Sequence, residues 1–407
     1  MSYPWLTIGY SQIYNFYFVQ IADLFGVWGV SFVITAINSL LFLMMNEMIY
    51  KNQKSIFSIL KNKYFLIITS LIICSYTYGF FTISSIRPNS NDHPIKIGIV
   101  QPNINPWKKW ENNAFEQINI HLRLQDSLIK NNSSLDLILW SETAIPFIDL
   151  YTNSTHNLSI LEHWIKSNNI PILTGFADIY IYRNEENHSI TAKKLGNSNK
   201  FYASYNAAIL FNKNLQDKQI YHKMKLTPFS ERIPYVETFT FLKDWIQWGV
   251  GISSWELGKE QKNLILNKNG NQLKIAPIIC IESIYPRFVS NFANLGADFF
   301  VIITNDAWYD HTFGPEQHFA IARMRAIESR RFIARCANSG ISGFISNTGW
   351  SYDLLPQYNQ LAKSSTIYSS KINTLYMKLG DILPIASTII ITIIIIFGIF
   401  YRMKQSK

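Results

Sequence analysis

The chain has 407 residues, 48% hydrophobic and only 16% charged, with a net charge of +10 and a mean hydropathy of +0.04, high for a soluble protein. Three cysteines, Cys74, Cys280 and Cys336, are too few and too odd for a disulfide framework, and no Cys/His spacing suggests a metal. The lysines are spread without a cluster, which argues against a nucleic-acid groove, while the positive balance suits a surface lying on anionic lipid.

The first 26 residues, including "SYPWLTIGYSQIYNFYFVQIADLFG", are aromatic and apolar but carry Gln12, Gln20 and Asp23. They lack the basic start and clean apolar stretch of a signal peptide. They read as an interfacial or re-entrant segment. Val27 to Met45 and Phe65 to Ile83 are nearly uncharged. Each is about 20 residues, long enough to span a hydrocarbon core. Between them lie Lys51, Lys54, Lys61 and Lys63. Ile382 to Tyr401 is a third such run, followed by Arg402, Lys404 and Lys407. Short basic loops stay in the cytoplasm, and the two flanks agree. The expected division is therefore 1–26, an N-terminal segment; 27–87, two spans with a basic cytoplasmic loop; 88–380, a domain on the outer, periplasmic face of a bacterial inner membrane; and 381–407, a last span with a basic tail.

Within the outer domain, "PNSNDHPI" reads as a linker. Short apolar runs follow: "IKIGIVQPN", "LDLILWSETAIP", "IPILTGFADIYIY", "YNAAILFNK", "QIYHKMKLTPF", "LKIAPIICIE", "DFFVIITNDAW" and "ISGFISNTG". Runs of this kind suit strands buried on both faces. Helical patterns alternate with them. "NAFEQINIHLRLQDSLIK" places Phe115, Ile118, Leu122 and Ile129 on one face, and "GPEQHFAIARMRAIESRRFIARCA" reads as one longer helix. That helix would carry Arg323, Arg325, Arg330, Arg331 and Arg335, either held by Glu328 and solvent or facing a lipid phosphate; its His318 would cap or pack. Alternating strands and helices imply an α/β sandwich. "ETFTFLKDWIQWGVG", from Glu237 to Gly251, is an arm dipping into the membrane interface or a core helix. Trp107 and Trp110 beside Lys108 and Lys109 look like a further interfacial contact.

Polar residues sit where strands end: Glu142, Lys223, Cys280, Asn305 and Asp306. Strand ends carry the sites of open α/β folds. In this the chain resembles the nitrilase superfamily, whose members use a Glu–Lys–Cys triad in that order on an αββα sandwich. It is most similar to the integral-membrane branch, the apolipoprotein N-acyltransferases. The resemblance rests on "PWLTIGYSQ", "QPNINPWKKW", "LWSETAIP", "YHKMKLTPFSERIPY", "CIES" and "NDAWYDHTFGPEQHFAIARMRAIESRRFIAR", nearly the whole length. It implies Glu142 as general base, Lys223 as triad lysine and Cys280 as nucleophile. It also implies Glu231 as a second essential glutamate and Glu282 as the glutamate two past the nucleophile. Trp110 and Trp308 match tryptophans of mobile arms around the pocket. Three features depart from the pattern. Ile281 stands where an aromatic is common, Ser230 where glycine is usual, and the family has more N-terminal spans, as if this were a shortened member.

The residues themselves set the chemistry. A free thiol is only a few per cent thiolate at neutral pH, and Glu282, the nearest charge in sequence, disfavours ionisation further. Glu142 can take the proton. Lys223 can steady the thiolate and then an oxyanion, with a backbone N–H near Ile281. Glu231 would hold the lysine or form a surface pair. Glu282 would bind an amine, orient the loop or sit exposed in a turn. Asn305 and Ile281 would touch substrate. The resemblance implies transfer of a fatty acyl chain from a phospholipid donor, through a thioester, to the α-amine of a diacylglyceryl apolipoprotein. It implies no cofactor, and a monomer in the bilayer. A membrane-tethered amidase and an inactive lipoprotein-binding scaffold are the competing readings.

Overall fold

The computed structural model describes residues 3–50, 59–86, 92–109, 114–131, 134–148, 156–183, 186–189, 191–213, 217–238 and 255–405. Trp110 and residues 239–251 of the aromatic stretch lie outside these. The first seven strands are β1 (Pro94–Gln101), β2 (Leu137–Trp140), β3 (Ile145–Ile148), β4 (Ile172–Ile181), β5 (Lys193–Lys194), β6 (Phe201–Phe211) and β7 (Lys218–His222). The next seven are β8 (Leu264–Lys268), β9 (Asn271–Ile279), β10 (Phe299–Thr304), β11 (Ile333–Ala337), β12 (Ser342–Ile345), β13 (Ser351–Leu355) and β14 (Leu361–Tyr368). They form two mixed sheets. One runs β14-β1-β2-β4-β6-β5, with β3 beside β4 and β7 beside β6; the other runs β13-β12-β11-β10-β9-β8.

The period of two in each strand sorts side chains between layers. Ile95, Ile97, Ile99, Leu137 and Leu139 enter the core shared with the second sheet. Their neighbours Val100, Ile138 and Trp140 face the other way. They pack with Ile118 and Leu122 of α3 (Ala114–Asn131) and Leu161 and Ile165 of α4 (His156–Asn168). On the second sheet, Val289 and Phe292 of α5 (Pro286–Asn294) and Ile321 and Ala322 of α6 (Gly314–Ser329) close the core. The Cys336 thiol spans the sheets, donating to Val100 O at 3.2 Å. The result is the αββα sandwich the sequence led us to expect.

One element differs from its sequence reading. The helix does not run through "RRFIARCA". Arg330 takes a left-handed backbone (φ 48°, ψ 45°) that ends α6. The chain then forms β11, bonded to β10 on one side and β12 on the other. Two ladders of hydrogen bonds override the helical pattern. The five arginines therefore do not share a helix, and each is buried rather than solvated. Protein acceptors occupy them: Arg323 donates to Gly349 O at 2.8 Å, Arg331 to Ala297 O at 2.7 Å and Arg335 to Asp306 at 2.8 Å. Arg325 pairs with Glu328 at 2.9 Å.

Among the described residues, three helices are long and apolar enough to cross a membrane: α1 (Ala22–Tyr50), α2 (Lys63–Ser85) and α8 (Ile382–Gln405), the last preceded by the short α7 (Leu375–Leu379). The helix α1 is broken at Phe25 and Gly26. Gly26 has φ 67°, and a Cβ there would lie 2.6 Å from the Tyr376 ring, so only glycine fits. The span restarts at Val27, whose N–H donates to Glu328 Oε1 at 2.7 Å. A carboxylate from the sandwich thus caps the helix.

The N-terminal segment is packed against α6. Ile13, Phe18, Val19 and Ile21 cluster with Ala320, Met324 and Ile327. Its polar residues are paired: Arg330 donates to Asp23 at 2.6 Å and to Gln20 at 2.6 Å, and Tyr78 of α2 donates to Asp23 at 2.8 Å. The segment therefore ties the first two long apolar helices to the sandwich.

Candidate active site

A cavity of about 460 Å³ opens between the strand ends; Lys109, Glu142, Asn206, Lys223, Glu231 and Cys280 carry its polar wall. Glu142 sits on the turn after β2. That turn is tight because Gly175 of β4 lets it approach: a Cβ on Gly175 would lie 2.7 Å from Glu142 Cα and 2.8 Å from Ser141 O. The following Thr143 has φ 47°, an unfavourable backbone for a β-branched residue. Lys223 directly follows β7, and its N–H donates to Asn206 O at 2.8 Å. Cys280 follows β9 and itself has φ 48°, a strained left-handed turn. Ser283 donates to Cys280 O at 2.8 Å, and His318 Nε2 lies 3.2 Å from the same oxygen.

The charged groups form one network. Lys223 Nζ donates to Glu142 Oε1 at 3.0 Å and to Glu231 at 2.9 Å. Asn206 Nδ2 bridges the same two carboxylates at 2.8 and 2.9 Å. Glu231 also accepts from Thr227 N–H at 2.7 Å. Burial alone would lower the Lys223 pKa, but the Glu142 and Glu231 carboxylates hold it well above its ordinary value. Burial would raise Glu231, but Lys223 and the Thr227 N–H hold it below. Lys223 is therefore a fixed cation. The Cys280 thiol is pushed far up, first by burial and then by the Glu142 charge, and Lys223 offsets only part of this. Burial and the Glu142 charge thus favour the neutral thiol over the thiolate.

Glu282 is fully buried, not an exposed turn carboxylate. Its oxygens accept from Tyr221 OH at 2.8 Å, Met224 N–H at 2.7 Å and Ile279 N–H at 2.9 Å. These bonds tie the Cys280 turn to the Lys223 segment, which is the loop-orienting alternative. Burial raises its pKa to about 7. Ile281 is buried in the core between the layers, because the turn points it inward, so it does not line the cavity as expected for substrate contact. Asn305 does line it and accepts from Asn338 at 3.0 Å. Trp308 also lines it, 40% exposed, with its ring 5.2 Å from that of Trp107 in an edge-on contact.

Two features escaped the sequence reading. Lys109 is not interfacial: it is 2% exposed and donates to Glu142 O at 2.9 Å and Thr143 Oγ1 at 2.8 Å. The available signal was its place just beyond β1, at the same edge as the other strand ends. Asn206, inside β6, offered no signal, because an asparagine within an apolar run says nothing of what lies opposite. Beneath Cys280, Asp306 joins His318 at 2.9 Å and Arg335 at 2.8 Å, and His318 Nε2 lies 2.7 Å from Ser283 Oγ. His318 thus packs and bridges, as expected.

Residues 96–375 match the carbon-nitrogen hydrolase family, and residues 1–40 match the apolipoprotein N-acyltransferase N-terminal domain. An apolipoprotein N-acyltransferase of Chlorobaculum tepidum is 34% identical over 94% of this chain and 70% of its own length. One from Haemophilus ducreyi is 31% identical over 100% of this chain and 73% of its own length. Among solved structures, Saccharomyces cerevisiae Nit3, a member of branch 10 of the nitrilase superfamily, has a TM-score of 0.46 at 13% identity, covering 67% of this chain and 89% of that one. The chain belongs to the carbon-nitrogen hydrolase family and, within it, to the apolipoprotein N-acyltransferases.

Proposed function

We propose that this protein moves a fatty acyl chain from a phospholipid to the α-amine of an N-terminal diacylglyceryl-cysteine on an apolipoprotein, by way of a thioester on Cys280. The observation that carries the reading is the buried Glu142–Lys223–Glu231 network sharing a cavity with Cys280, in a chain with three membrane-length apolar helices. In the first step Cys280 Sγ attacks the ester carbonyl while Glu142 takes its proton. Lys223 and a backbone N–H of the Cys280 turn steady the oxyanion. The C–O bond then breaks, and Glu142 returns the proton to the departing lysophospholipid oxygen. In the second step the acceptor amine attacks the thioester, Glu142 takes a proton from the nitrogen, the C–S bond breaks and the sulfur is reprotonated.

Glu231 holds Lys223, and Glu282 holds the turn. Trp308, with Trp110, guides lipid toward the cavity. Residues 88–380 work on the periplasmic side of the inner membrane, anchored by the spans in 27–87 and 381–407, and a monomer suffices. The test is to incubate the detergent-solubilised chain with phospholipid and search for a fatty-acyl mass adduct on Cys280, discharged by a diacylglyceryl-cysteinyl peptide. No adduct, with turnover of small amides instead, would leave a tethered amidase.

A further inference from the structure

We propose that Lys109 is a positioning residue for Glu142, fastening the turn that presents this carboxylate and placing a positive charge beside it. The inference rests on the acyl-transfer reading, in which Glu142 takes the Cys280 proton.

A lysine this buried is normally repaid by a carboxylate. Among the described residues, the two hydrogen-bond acceptors of Lys109 are neutral instead: Glu142 O at 2.9 Å and Thr143 Oγ1 at 2.8 Å. They flank the peptide that leads into Thr143, whose φ is 47°. Lys109 is itself held, because Gln117 of α3 donates to its main-chain oxygen at 2.5 Å. A rigid path therefore runs from α3 through Lys109 to the base. The charge matters as well as the bonds. Burial lowers the Lys109 pKa to about 7, and the Glu142 charge works against that fall. The attraction acts between the two groups, so the ammonium is a positive charge beside Glu142. The other groups facing Glu142 are Lys223 beyond β7, Asn206 on β6, Glu231 and Cys280.

The test is the rate at which iodoacetamide alkylates Cys280 in the full detergent-solubilised chain, read by peptide mass across the neutral pH range. This reports proton transfer to Glu142 without requiring a lipid. Lys109→Met is expected to slow alkylation about tenfold and to move the acidic limb of the profile up by about half a pH unit, because a favourable charge near the base is lost. Lys109→Arg should keep the limb in place. A wild-type rate in Lys109→Met, or a slower rate with an unmoved limb, overturns the proposal. Should Lys109→Met fail to fold, Thr143→Val decides: about threefold slowing is expected from losing one of the two acceptors, and a wild-type rate overturns the idea. A wild-type chain that is alkylated at Cys280 but never acylated by phospholipid would sink the acyl-transfer reading and leave the Lys109 result standing.

Discussion

Two strained turns, one after β2 beside Glu142 and one after β9 at Cys280, come to the cavity from different sheets, and they are supported in opposite ways. Beneath Cys280, Asp306 is saturated by Arg335, His318 and the Thr304 hydroxyl, and the chain of bonds ends on Cys280 O. Burial would raise Asp306, but Arg335 and His318 hold it far below the ordinary carboxylate range. Beside Glu142, two carboxylates share Lys223, and among the described residues Lys109 has only neutral hydrogen-bond acceptors and Asn206 Oδ1 is buried without a hydrogen bond. One side is built to hold a strained backbone still. The other holds loosely balanced charge, as a group that takes and returns protons requires.

The largest expected effects test whether proton movement and nucleophilic attack divide along this line. Cys280→Ala should abolish the acyl adduct altogether while leaving the melting temperature nearly unchanged, since only the sulfur is lost. Glu142→Gln should slow adduct formation by about 10²–10⁴-fold, the usual range for a general base. Lys223 stays paired with Glu231 in that variant, so folding should survive. Adduct formation at the wild-type rate in Glu142→Gln would remove the base from this side.

Next in size come effects on stability. Asp306→Asn leaves Arg335 with its charge uncompensated in the core and should cost about 3–5 kcal/mol. Thermal unfolding measures this; a loss under 1 kcal/mol would show that the network is not the support of the turn. The pH dependence separates the sides further. Because the folded Asp306 pKa is depressed, its contribution is present above the unfolded value, about 3.9, and disappears only as pH falls toward the folded one. Lys109 acts in another window. From its folded pKa of about 7 up to the unfolded value of about 10.4, the unfolded chain binds the extra proton, so stability rises with pH. Lys109→Met should flatten that rise, and a rise of unchanged slope would assign it to other groups.

The difference between the sides also explains what the sequence made legible. Runs such as "FFVII" announced buried strands because every residue in them is apolar. Glu142, Lys223 and Cys280 stood out because charge or sulfur at the end of such a run needs a reason. Partners across the fold left no mark. The end of α6 at Arg330 was hidden because its helical pattern continues into "RRFIARCA", and only the facing β10 and β12 make that stretch a strand. Arg323 and Arg331 read as solvated because their acceptors are main-chain oxygens such as Ala297 O, and Arg330 and Arg335 because their carboxylates, Asp23 and Asp306, stand far off in sequence. Lys109 was hidden by its neighbours, since two tryptophans and a second lysine made it look interfacial.

The smallest expected effect lies at the cavity mouth, where neither support system reaches. Trp107 is 62% exposed and touches Trp308 edge-on at 5.2 Å between ring centres. Such a pair is worth about 0.5–1.5 kcal/mol, and removing an exposed ring leaves no core cavity behind. In Trp107→Ala the turns bearing Glu142 and Cys280 keep every bond described above. The proton transfer should therefore be untouched and only lipid capture weakened. We expect KM for phospholipid to rise by about two- to tenfold, the range that pair energy converts to, with kcat for adduct formation unchanged. A fall in kcat without a change in KM would mean that the mouth aligns the ester for attack, and that the line between holding and reacting regions must be drawn to include it.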